Sequence, residues 1–145
     1  MLRNTLKLVV VAASLAGVAS ACESSAANGT TKKNINQLEV GECFNEPKGS
    51  FLTVKIIDCT AEHNAQLVAS IAYSDDLSDE DQRAQAIVDQ CDDAATKAGV
   101  KLPGGHDVAV SYLASAKANW SKPTAVHCYI VDDTAKLTAS VLPAR

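Results

Sequence analysis

Hydrophobic and polar positions change their period several times along this chain, and each change marks an element. The stretch Leu8-Val9-Val10-Val11-Ala12-Ala13-Ser14-Leu15-Ala16-Gly17-Val18 has no period, because it is apolar throughout. Residues 23–36 are the opposite: small, polar and too poor in bulky apolar side chains to offset the entropy of ordering, they predict a flexible tether. From Leu38 to Phe44 the character alternates, and Glu46-Pro47-Lys48-Gly49-Ser50 reads as a turn. Leu52 to Cys59 is rich in β-branched residues, with Val54 and Ile56 on one face, and Leu67 to Tyr73 predicts a third strand. The period then switches to that of a helix. Ala84, Ile87, Val88, Cys91, Ala94, Ala95 and Ala98 recur at three- and four-residue spacing. Ser78 reads as the N-cap, Asp79-Glu80-Asp81 place acids where the helix dipole favours them, and Lys97 and Gly99 close the helix. Val108 to Leu113, Thr124 to Val131 and Leu137 to Leu142 predict three further strands. The expected fold is α+β: a mainly antiparallel sheet packed on one amphipathic helix.

The first segment has a separate meaning. Arg3 and Lys7 precede the apolar run, and Ala19-Ser20-Ala21 stand before Cys22. A basic start, a short apolar stretch and small residues before a cut define a bacterial export leader. The run from Leu8 to Val18 is 11 residues, whereas a membrane-spanning helix needs about 20. A cysteine directly after the small residues resembles a lipobox, in which the thiol takes a diacylglycerol and becomes the new N-terminus. Ordinary secretion with a cut after Ala21 is the plainer alternative. The expected organisation is a leader over residues 1–21, lipidated Cys22 and tether over 22–36, and one domain over 37–145. Several acyl chains, palmitate among them, would hold it, since one chain alone binds a membrane only marginally.

Charge and cysteine count narrow the class. Of the 13 basic residues, Arg3 and Lys7 fall in the leader, leaving 11 against 17 acidic and a net charge of −6. That balance argues against nucleic acid and anionic headgroups as partners. Cys43, Cys59, Cys91 and Cys128 form an even set in an exported chain, which implies disulfides. Of three connectivities we favour Cys43–Cys59, near the two ends of one hairpin, and Cys91–Cys128, which joins the buried helix face to a strand. Scattered cysteines lack zinc-knuckle spacing, so no metal and no cofactor is expected.

At this point the residues resemble a known family. Leu38-x-Val40-Gly41-Glu42-Cys43-Phe44-Asn45, followed by Asp58-Cys59-x-x-x-His63-Asn64-Ala65-Gln66, is similar to the opening of the "septum formation" domain of actinobacterial envelope proteins. Cys91 in a helix, Trp120, and Val126-His127-Cys128-Tyr129 are similar to that family's later landmarks. Glu42 stands where the family more often has Asp, and Glu62 where Pro is typical. The resemblance covers residues 38–142 and implies a cell-envelope protein, anchored on the extracytoplasmic face of the membrane, with a name that suggests cell division.

Chemistry is harder to find. His63 lies close to Asp58, and an Asp–His unit would suit a small cell-wall hydrolase or its regulator, but no serine stands in an activated context. The plainer role of His63 is to bond backbone groups in the turn after the first disulfide. His106 reads as part of an exposed loop and His127 as half-buried in a strand, with no spacing that makes the histidines metal ligands. Asp75, Asp76, Asp79, Glu80, Asp81, Asp92 and Asp93 lack a calcium-loop spacing and read as helix cap and solvated face. Asp132-Asp133 reads as a hairpin turn before the last strand. Trp120 either anchors a partner or caps the core. The sequence therefore favours a non-catalytic module that binds or scaffolds an envelope protein or cell-wall partner, with Trp120 and His63 as candidate contacts.

Overall fold

The computed structural model describes residues 31–48, 53–102, 104, 106, 108–115 and 118–144. Within them the elements run β1 (Lys32–Asn34), a short 3-10 turn (Ile35–Gln37), β2 (Cys43–Phe44), β3 (Thr53–Ile57), β4 (Ala65–Tyr73), α1 (Glu80–Lys97), β5 (Val108–Ala114) and β6 (Thr124–Asp132). The strands form one sheet in the order β1-β3-β2-β4-β6-β5, and every neighbouring pair is antiparallel. The α+β expectation and its single helix hold.

The two long strands, β4 and β6, carry the sheet, and their side chains alternate between two cores. On one face Phe44, Leu67, Tyr129 and Val131 pack with Ile35 and Leu38. On the other, α1 lays Ile87 and Cys91 against Tyr73, Val126 and Cys128, and Ala95 against Ile130. A bulge between Leu67 and Ala69 adjusts the register. It turns both Val68 and Ala69 toward the helix, so β4 keeps Leu67 on the first face and Ile71 on the second.

Helix α1 starts one residue later than expected. Asp79, not Ser78, is the N-cap, and its carboxylate accepts from the backbone of Asp81 and Gln82 at 2.9 and 3.0 Å. A carboxylate at this position also meets the positive end of the helix dipole, which a serine hydroxyl does less well. Gly99 follows the last turn with φ of 71°, the left-handed conformation that favours glycine at this place.

Two boundaries differ from the expectation. Residues 32–36, expected in the tether, belong to the folded domain: Lys32–Asn34 pair with β3, and Ile35 is buried. Three residues of polar strand are stable here because Ile35 and Leu38 pin the segment to the core, and Asn34 closes a reciprocal cap with Gln37. The second difference is at the C-terminus, where the expected strand from Leu137 to Leu142 is absent among the described residues. Only Leu137 makes a strand-like bridge, to His63. Leu137 and Val141 are buried, but their backbone is met by side chains and loops. The Gln66 carbonyl accepts from Val141 N at 2.7 Å, and Val141 O accepts from Lys101 N at 2.8 Å.

Both disulfides pair as favoured. Cys43–Cys59 ties β2 to the turn after β3, and Cys91–Cys128 ties α1 to β6, each with Cα atoms 5.3 Å apart. With sequence separations of 16 and 37, chain entropy assigns about 3 and about 4 kcal/mol to the two bonds. We predict that Cys91→Ser with Cys128→Ser lowers the unfolding free energy by about 4 kcal/mol, and that a peptide map of the unreduced protein shows only these two links. A Cys43–Cys91 or Cys43–Cys128 peptide would contradict the pairing.

Candidate functional site

Cys22, the expected lipidation site, lies outside the described residues. Among the described residues no helix is long and apolar enough to cross a membrane.

His63 and Asp58 do not form a unit. His63 is fully buried in the turn that follows the first disulfide. Its backbone bridges Leu137 in both directions, at 3.0 and 2.7 Å, and ring Nδ1 lies 2.8 Å from Ala61 O. A carbonyl can only accept, so Nδ1 donates this bond. Ring Nε2 is buried without a partner among the described residues. Asp58, by contrast, is exposed, and its Oδ1 accepts from Thr60 N and Thr60 Oγ1 at 2.8 and 2.7 Å. These bonds hold its carboxyl below the usual range. His63 thus fixes the turn and the C-terminal segment.

Trp120 closes one end of the molecule. Its ring meets Tyr73 edge-on at 5.9 Å, and the Arg83 guanidinium lies 5.7 Å from its centroid. Its carbonyl accepts from Asp75 N at 2.8 Å, and Arg83 Nε reaches Asp75 at 3.1 Å. The half-buried indole therefore brackets the β4–α1 connection against the β5–β6 connection. Burial, followed by the bond to Asp75, pushes the Tyr73 hydroxyl up to about 12. Asp75 is held low by its bonds to Tyr73 and Arg83, which outweigh burial. The acidic residues play the roles expected of them, as cap and solvated face, with Asp75 paired in addition.

The other histidines correct their expectations. His106, expected in an exposed loop, is partly buried, and its Nδ1 bonds Asp132 Oδ2. Asp132 sits at the end of β6, fully buried, and its other oxygen accepts from Thr134 N, Thr134 Oγ1 and Ala135 N at 2.8–2.9 Å. The His106 bond, then these caps, hold the Asp132 carboxyl well below the usual carboxylate range against the opposing effect of burial. Asp132 does begin a turn, but no strand follows it among the described residues. His127 is buried rather than half-buried, faces away from α1 and bonds Ser70 Oγ at 2.9 Å. Burial pulls its pKa down. No three of His, Cys, Asp and Glu converge on a metal-binding position among the described residues.

Sequence reasoning missed the surface on the helix side. A groove of about 190 Å³ opens between the C-terminal half of α1 and strand β5, lined by Ala95, Thr96, Val108, Val110 and Ile130, with Leu102 and Asp92 at its rim. Leu102 is 50% exposed, the most open of the large apolar side chains described. A second depression of about 150 Å³ lies on the other side of the helix end, between Val40, Val68, Ala98, Leu142 and Pro143. Both are smaller than the roughly 300–1,000 Å³ of ordinary ligand pockets, so they accept side chains rather than a whole ligand. The one signal in the sequence was Leu102 beside Pro103-Gly104-Gly105, and alternation alone could not place it. No family model, curated protein or solved structure matches the chain.

The buried titrating groups make acid the weak side of this fold. His127 in the folded protein takes its proton at a lower pH than in the unfolded chain, where the value is about 6.5. The unfolded chain therefore binds protons first as pH falls, and stability declines below that point. Asp132 behaves likewise further down: its ionised form adds stability above about pH 4 that is lost as pH falls through its folded value. We predict an unfolding midpoint that falls in two acid limbs. His127→Gln flattens the upper limb, and Asp132→Asn removes the lower one while destabilising the protein at neutral pH. Denaturant melts from pH 7 down to pH 3 check both; unchanged limbs in the variants would reject the assignment.

Proposed function

We propose that this protein is an exported lipoprotein, held on the extracytoplasmic face of the membrane by acyl chains on Cys22, whose domain binds a protein partner in the cell envelope. The observation that carries the reading is the pair of disulfides built into the domain. Cys43, Cys91 and Cys128 are fully buried, and such bonds persist where no reducing pool breaks them. They agree with the export pattern that ends at Cys22. The binding role is supported by the two apolar depressions on the helix side, with Val40 and Leu102 exposed beside them. Weighing against the hydrolase alternative, Asp58 Oδ1 is exposed and bonded by Thr60, whereas His63 is buried with Nδ1 on Ala61 O. The link to septum formation rests on sequence resemblance to the envelope family alone.

The anchor is testable directly. Wild-type protein is expected to take up labelled palmitate and sediment with membranes, and Cys22→Ala to lose the label and appear in the soluble exported fraction. A Cys22→Ala protein that still sediments with membranes would remove the anchor from the proposal.

A further inference from the structure

The two edges of the sheet are built differently. Edge β1 is three residues long and carries Lys32 and Lys33, a short charged border of the kind that discourages pairing with another chain. Edge β5 is seven residues, Val-Ala-Val-Ser-Tyr-Leu-Ala, without a charge, a proline or a bulge. Its backbone pairs with β6, and among the described residues the N–H and C=O groups on its outer side have no backbone partner. The 3-10 turn also comes close to this strand. Ile35 meets Leu113 in the core on the opposite face of the sheet.

The same strand lines the groove. Val108 and Val110 share the helix face with Ile130, and together with Ala95 and Thr96 they form its walls. A strand added beside β5 sends every second side chain to that face, next to Val108 and Val110. Main-chain bonds and a receptacle for alternate side chains are the two requirements of recognition by strand addition. Charge selects the occupant. Asp81, Asp89 and Asp92 lie along the β5 side of α1 at helical spacing, all exposed, whereas Lys97 lies on the far side. Asp92 is the one charged residue on the groove, and Lys101 the one base adjoining its rim, next to Leu102. A second copy would bring its own acidic stripe against this one.

We propose that the free edge of β5, with the groove under α1, docks an extended cationic segment of a partner protein, with apolar side chains at alternate positions. It rests on the binding-module reading and not on the anchor, so it is tested in solution. The probe is a short synthetic peptide with valine at alternate positions and lysine at both ends, added to the exported, disulfide-bonded chain. Amide exchange followed by NMR is expected to slow in Val108–Ala114 and stay unchanged in β1. Leu102→Asp should raise Kd about tenfold and Asp92→Lys about fivefold, with thermal unfolding unaltered because both side chains are exposed. A peptide with proline at the intervening positions, lacking the N–H donors, should not bind. Binding that ignores both substitutions, or protects amides elsewhere, overturns this site while leaving the binding-module reading intact. Concentration-dependent protection of β5 without peptide makes a second copy the occupant and overturns it as well. An unanchored Cys22→Ala result would change none of these outcomes.

Discussion

From Val126 onward strand β6 has water on neither face. Each residue from there to Asp132 is buried, because the strand lies between β4 and β5 and feeds two cores at once. Val126, Cys128 and Ile130 serve the helix side, and Tyr129 and Val131 serve the other. A strand covered on both sides reads as a nearly continuous apolar run instead of an alternating one, and Thr124–Asp132 does so. The rest of the molecule is arranged around this requirement. Helix α1 covers one face and is welded to it through Cys91–Cys128, while Ile35 and Leu38 close the other.

Covering both faces buries polar groups that must then find partners inside the protein. Gln66 shows how this is done. Its amide donates to Gly41 O and Ser140 Oγ at 3.0 and 2.9 Å, and its carbonyl takes Val141 N. One side chain therefore joins β4 to the turn before β2 and to the C-terminal segment. Tyr129 donates its hydroxyl to Glu46 at 2.7 Å, and Asp132 gathers His106, Thr134 and Ala135. Among the described residues His63 is the exception, with Nε2 left without a partner, and its position is held by the backbone bridge to Leu137 instead. These bonds join segments far apart in the chain, so they fix where the loops lie.

The sheet protects one edge with lysines and, among the described residues, leaves the other unpaired beside an apolar groove. Such an asymmetry is a liability in a free protein and an asset in one that receives a strand. An oxidising compartment suits the same design, because the disulfides relieve a domain of modest size from depending on its core alone.

Local pattern was enough for the helix, the long strands, the disulfide pairing and the antiparallel class. Each rests on periodicity or on residues near in sequence, as with Ile87, Cys91 and Ala95 on one face of α1. The proposed leader and lipidated Cys22 rest on a linear signal alone. Long-range packing decided the remainder. Nothing within residues 32–36 announces a strand until Ile35 finds its core, and Leu137–Leu142 looks like a strand until Gln66 and Lys101 take its backbone bonds. The same holds for the candidate sites: Asp58 and His63 are neighbours in the chain but face different surroundings, whereas His106 meets Asp132 across 26 residues. The groove is made by α1, β5, β6 and the Leu102 loop together, and no window of sequence contains all four. Period records which face a residue takes, but only the packed chain sets which faces meet.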